Sequence, residues 1–188
     1  MNDINHLYDL IGESSLTLIG YSFRQERIKD AFISKLNYVQ IDEIDSSFSL
    51  HSYIRDLKLD SILNGDDILS PVPGQYVIFD LNNIKSSKRS ENSDGTLFEI
   101  PKFIRKLTED IRTTSMLFKF KPILICSMYQ TLIGQNDPTG LNFVGGSSPM
   151  YASDLVLRFS DDGVSVIKNR YSGNFTIPYG ELKNSLYI

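Results

Sequence analysis

The sequence predicts an α/β fold: a mostly parallel sheet with helices on both faces and an antiparallel hairpin at one edge. Three observations predict it. Short apolar runs with the character of buried strands recur at 15–20, 38–41, 75–80 and 122–128. Between them lie segments whose apolar residues repeat at helical spacing, and such alternation of strand and helix is the order that parallel pairing requires. Two further runs, Leu155–Phe159 and Ser165–Lys168, flank Asp161-Asp162-Gly163, the pattern of a hairpin turn.

Each element follows from its own pattern. Residues 1–13 carry Ile4, Leu7, Leu10 and Ile11 on one helical face and meet Gly12 near their end. Ser15–Gly20 is apolar and closed by glycine, a buried strand. Gln25–Leu36 sets Ile28, Ala31, Phe32 and Leu36 on one side of a helix. Tyr38–Ile41 is the second strand, and Leu50–Leu63 reads as a helix offering Tyr53, Ile54, Leu57 and Ile62 or Leu63 to the core. The Pro71–Gly74 turn leads into Gln75–Asp80, the strongest strand signal in the chain. Asn82–Thr96 is polar and reads as an exposed loop. Phe98–Phe118 is a long amphipathic helix with Phe103, Ile104, Leu107, Ile111, Met116 and Leu117 as its inner stripe. Its Pro101 belongs in the first turn, where a missing N–H costs little. Pro122–Met128 is a strand, and glycine-rich Leu132–Gly146 is a long loop. The whole reads as a single domain, 1–188: an N-terminal helix over 1–13, a core over 14–173 and a C-terminal tail over 174–188.

Bulk composition narrows the function. The 188 residues are 41% apolar, enough for a buried core and against general disorder. A net charge of −4 means that nucleic-acid binding would rest on a local basic patch. Cys126 is the single cysteine, so no internal disulfide forms. With no signal peptide in evidence, a reducing, cytoplasmic setting is expected. No apolar stretch approaches the roughly 20 residues that span a bilayer. His6 and His51 stand apart from other ligand types, so no metal site is expected.

Ligands of an α/β sheet bind at the carboxyl ends of its strands, so residues just after each strand carry the most information. After the first, Gly20-Tyr21-Ser22-Phe23-Arg24-Gln25-Glu26-Arg27 occupies the frame of a phosphate-binding loop, G-x-x-x-x-G-K-[ST]. After the third, Asp80 closes Val-Ile-Phe-Asp, which resembles a Walker B strand. After the fourth comes Gln130. Gly145-Gly146-Ser147-Ser148-Pro149-Met150-Tyr151-Ala152-Ser153-Asp154 and then Lys168-Asn169-Arg170 complete the series. In this order, from about Leu16 to Gly173, the chain resembles the RecA-like cores of ATP-driven recombinases and DnaB-like helicases. The resemblance implies a RecA-like fold and a set of roles. Asp80 would order the water around Mg²⁺, Gln130 would sense nucleotide state, and Glu43 would stand near the catalytic glutamate. Lys168 and Arg170 would reach ATP on a neighbouring subunit.

The residues themselves leave other readings open. Asp80 can cap the turn at Asn82–Asn83, Gln130 can bond backbone, and Glu43 can be a solvated strand-end charge beside Asp42 and Asp45. Lys168 and Arg170 can be a solvent-facing pair. The phosphate loop itself departs from the family pattern. Gln25, Glu26 and Arg27 stand where Gly, Lys and Ser/Thr belong, so close backbone approach, the neutralising cation and the Mg²⁺ ligand are all lost. Only Gly20, with Arg24 or Arg27 reaching from another direction, remains as a vestigial nucleotide site. The expectation is therefore a RecA-fold accessory protein of DNA recombination, repair or replication, without ATPase chemistry and with no cofactor. Its partner would be a recombinase, a helicase, a second copy or DNA. Two alternatives are an atypical motor subunit that still binds ATP and Mg²⁺, and a regulatory protein reusing the fold without nucleic acid. Lys85, Lys88 and Arg89 are the loop cations that suit DNA, joined by Asn142 and Phe143 from the glycine-rich loop. Lys102, Arg105, Lys106, Arg112, Lys119 and Lys121, interspersed with Glu109 and Asp110, read as an ordinary solvated face.

Overall fold

The computed structural model describes residues 4–41, 44–45, 48–56, 74–85, 96–129, 142–143, 148–170 and 173–186. Side chains alternate across its central strands, so the same strand feeds two cores. Along β1 (Thr17–Tyr21), Leu18 faces one cluster and Ile19 the other. Along β6 (Lys121–Tyr129), Ile123 and Ile125 join the cluster of Ile19 while Leu124 and Cys126 join that of Leu18. A strand buried on both faces must be apolar throughout, which is why these segments read as continuous runs.

The remaining strands are β2 (Tyr38–Ile41), β3 (Ile44–Asp45), β4 (Tyr76–Asp80), β5 (Ile84–Lys85), β7 (Asn142–Phe143), β8 (Leu155–Ser160), β9 (Gly163–Asn169) and β10 (Phe175–Pro178). The main sheet runs β10-β9-β8-β1-β6-β4-β2, with β7 paired to β6 off this path. Pairings among β8, β1, β6, β4 and β2 are parallel. β8–β9 and β9–β10 are antiparallel and form the edge. This is an α/β architecture, a mostly parallel sheet with helices on both faces and an antiparallel edge.

One face is covered by α1 (Ile4–Glu13) and α2 (Glu26–Ile33), which bury Leu7, Leu10, Ile11, Phe32 and Ile33. On the other lie α3, over 50–56, and α4 (Thr96–Phe118), which bury Leu50, Ile54, Leu107 and Ile111. Two short helices, α5 (Ser148–Ala152) and α6 (Tyr179–Leu186), complete the set. No helix among the described residues is long and apolar enough to cross a membrane.

Several elements differ from the sequence reading. Met116 and Leu117 are 73% and 64% exposed, outside the inner stripe of α4. The helical period carries that stripe from Ile104, Leu107 and Ile111 onto Thr114 and Ser115, leaving the two apolar residues out of phase. By the same spacing Leu50 and Ile54 take the inner positions of α3, and Tyr53 is 40% exposed. Pro101 is the sixth residue of α4, beyond its first turn, so the helix forgoes the amide that would bond Leu97. The predicted helix over 50–63 is described only to 56. Within the expected loop 82–96, β5 pairs in parallel with β3, and within 132–146, β7 pairs with β6. The C-terminal segment supplies the edge strand β10 and α6.

Candidate functional site

Gly20 lies inside β1, paired in register with Cys126 and Arg158. Only Ser22 and a single 3-10 turn, Phe23–Gln25, separate β1 from α2. That connection closes on itself. Ser22 N donates to Phe159 O at 3.3 Å, Gln25 N to Ser22 O at 2.9 Å, and Glu26 N to Phe23 O. A phosphate cradle needs such amides aimed at the ligand. The Gln25 side chain is buried and donates Nε2 to Asp161 Oδ1 at 2.7 Å, tying the turn to the β8–β9 hairpin. Arg24, Glu26 and Arg27 are exposed, and Phe23 is 84% exposed. Lys29 is buried, ion-paired with Asp30 at 2.8 Å and seated 4.4 Å from the Tyr21 ring centroid.

At the adjoining strand ends one amide side chain gathers three strands. Asn82 Nδ2 donates to Asp80 Oδ1 at 2.7 Å and to Tyr21 OH at 3.3 Å. Its Oδ1 accepts from Ser127 N at 2.8 Å and Ser127 Oγ at 2.7 Å. Asp80 also accepts from Asn82 N at 2.9 Å and, through Oδ2, from Asn83 Nδ2 at 3.4 Å. Both carboxylate oxygens thus serve the turn that follows β4, as a cap does. Burial, reinforced by the Asp80, Glu26 and Asp30 carboxylates, pushes the Tyr21 phenol up to about 12. Burial likewise raises the Cys126 thiol, with Asp80 adding to it. Among the described residues no group of three His, Cys, Asp or Glu could hold a metal.

Lys168 and Arg170 both turn inward to the chain. Lys168 Nζ donates to Met150 O at 3.0 Å and to Tyr151 O at 2.9 Å, two of the last three carbonyls of α5. Arg170 Nε lies 3.1 Å from Asp154 Oδ1, an ion pair between an exposed guanidinium and a carboxylate only 2% exposed. Asp154 Oδ2 accepts from Ser15 Oγ, and Asp154 N donates to Leu16 O at 2.9 Å. The Tyr-Ala-Ser-Asp and Lys-Asn-Arg stretches therefore meet in one network beside the start of β1.

Next to that network, α4 and α5 enclose a cleft of about 400 Å³ lined by Arg105, Thr108, Glu109, Arg112, Ser148 and Tyr151. Arg105 pairs with Glu109 at 3.3 Å, while the Arg112 side chain has no anionic partner among the described residues. Tyr151 is 74% exposed. Sequence reasoning treated Arg105 and Arg112 as a solvated face. Their i, i+3, i+4, i+7 spacing with Thr108 and Glu109 did mark one face of α4. The tyrosine opposite arrives only through the fold.

Of the other predicted site residues, Glu43, Gln130, Lys88 and Arg89 lie outside the described residues. Lys85 ends β5, and Asn142 and Phe143 form β7, opposite Tyr129 and Met128.

No protein-family model and no curated protein sequence matches this chain. Among solved structures, a DnaB-like replicative helicase, described together with its interactions with primase, is similar at 10% identity and a TM-score of 0.49. The match covers 86% of this chain and 54% of the helicase, so this chain spans about half of that protein's length. A protein from Pyrococcus horikoshii OT3 is similar at 14% identity and a TM-score of 0.37, over 91% of this chain and 94% of its own. The fold class rests on strand order and layering: α/β, with the antiparallel edge carrying the Lys168 and Arg170 network.

Proposed function

We propose that this chain is a RecA-fold accessory protein of DNA recombination, repair or replication that acts by binding DNA or a protein partner and does not hydrolyse ATP. The observation that carries the reading is the self-closed turn after β1, in which the amides of Ser22, Gln25 and Glu26 are donated within the chain. Charge argues the same way. A carboxylate at Glu26 in place of a lysine turns attraction for a polyphosphate into repulsion, about 4 kcal/mol per charge pair at 4 Å near a protein surface. Asp80, the candidate Mg²⁺ residue, is engaged by Asn82 and Asn83.

Nucleic acid is supported by the α4–α5 cleft. Arginines at its wall suit phosphate, and an exposed tyrosine at its rim suits stacking on a base, the combination that single strands use. The cleft is also of a size to admit a nucleotide. A protein partner would be a recombinase, a helicase or a second copy of the chain.

Two measurements test the reading. A thermal melt with millimolar ATP and Mg²⁺ should coincide with the melt without them. Binding at 100 times Kd would instead add about 2.7 kcal/mol, or roughly 5–10 °C. Such a shift would put the motor alternative ahead of this reading. Labelled oligothymidylate should bind with an affinity that falls as salt rises, and Arg112→Glu should weaken it at least tenfold. If the wild-type chain fails to bind at low salt, DNA drops out and only the protein partner remains.

A further inference from the structure

The α5 helix is five residues long, too short to hold its own shape, and its last carbonyls have no partners within the helix. Three of its carbonyls are satisfied by groups that follow it in the chain. Pro149 O accepts from Ser153 N at 3.1 Å and Ser153 Oγ at 2.7 Å. Met150 O and Tyr151 O accept from Lys168 Nζ. A cation at a helix C-terminus also opposes the partial negative charge there. Two residues on, Arg170 pairs with buried Asp154, which is bonded in turn to Ser15 and Leu16. The end of the β9 strand thus fastens α5 to the start of β1. The Tyr151 ring, by contrast, makes no hydrogen bond or ring contact among the described residues, so its position is set by its backbone. That backbone is what Lys168 holds.

We propose that Lys168 is a positioning residue for the α4–α5 cleft: its ammonium group, bonded to Met150 O and Tyr151 O, holds α5 so that Tyr151 stands at the rim as a stacking platform for a base. The inference rests on the nucleic-acid reading of that cleft. It differs from the role that the family resemblance implies, in which this lysine reaches a nucleotide on a neighbouring subunit. Its two carbonyl contacts engage the ammonium group, leaving phosphate to Arg105 and Arg112. Burial lowers the Lys168 pKa; Asp154 opposes this, and Arg170 and Arg112 add to it, in keeping with a lysine set among cations behind the cleft.

The test uses the full chain with Lys168→Met, which keeps the apolar stem, and Lys168→Arg, which can still donate to both carbonyls. The probe is fluorescein-labelled oligothymidylate, titrated across a salt series, with hydrogen exchange of the 150–154 amides measured in parallel. Lys168→Met should weaken binding about tenfold, the scale of one lost stacking contact, with the salt slope unchanged. It should also speed exchange of the Ser153 amide, and Lys168→Arg should restore both. A salt slope reduced by about 0.7 would make Lys168 a phosphate contact on a single strand and overturn the proposal. Unchanged exchange at Ser153 would overturn it as well. If the wild-type chain binds no oligothymidylate, the nucleic-acid reading fails and the stacking role with it. The exchange data would then report on the clamp alone.

Discussion

Asn82 holds the strand-end cluster together although it is itself exposed and uncharged. Its one side chain reaches Asp80, Tyr21 and Ser127, so β4, β1 and β6 share a single hydrogen-bonded junction. Water can replace part of that set once the side chain is gone, so Asn82→Ala should cost about 1–2 kcal/mol. A thermal melt should fall by roughly 3–6 °C. A melt within about 1 °C of wild type would mean that solvent serves the strand ends equally well. The cap reading of Asp80 was legible in the sequence, because Asp followed by Asn-Asn is a local turn pattern. The reach of Asn82 to Tyr21 and Ser127 was not, because nothing local sets the distance between three separate strands.

Among the elements, the β8–β9 hairpin was the most fully legible. Two apolar runs around Asp161-Asp162-Gly163 specify turn and pairing together, and the register Ser160↔Gly163 follows. Its tight packing against β10 was not legible. Gly163 has φ +147°, and a Cβ there would lie 2.2 Å from Ile177 O. Gly163→Ala must therefore strain the turn or push β10 off the edge. A loss of about 2–4 kcal/mol in urea unfolding is expected. Exchange should rise at Val164 and Ile177, which pair across β9 and β10. Unchanged stability would show that the edge strand gives way without cost. The long helix α4 teaches the converse. Its existence and its Ile104–Leu107–Ile111 stripe were plain, but Met116 and Leu117 followed hydropathy and not phase, and phase decided.

At the scale of the whole molecule, buried phenols link stability to alkaline pH. Burial pushes Tyr8 up to about 12, and Tyr8 OH donates to Phe32 O at 3.0 Å. Tyr21 is likewise raised to about 12. Unfolded tyrosines ionise near 10. The folded state therefore keeps its protons longer, and this stability is whole below about pH 10 and lost as pH rises through about 12. Urea midpoints should fall between about pH 9 and pH 11.5, and less steeply in Tyr8→Phe; equal slopes in the two chains would exclude Tyr8 as a source. The sequence by itself determined the layered α/β architecture, because the periods of apolar residues are local and repeat along each element. It also placed Gln25, Glu26 and Arg27 after the first strand, where no Gly, Lys or Ser/Thr stands to cradle a phosphate. Only the tertiary structure decided which partners the polar and charged groups take: Gln25 on Asp161, Lys168 on α5, Arg170 on Asp154. It alone brought Tyr151 to Arg105 and Arg112. Burial removes water, so each polar group must take the partner that the fold sets beside it, and those partners lie far away along the chain.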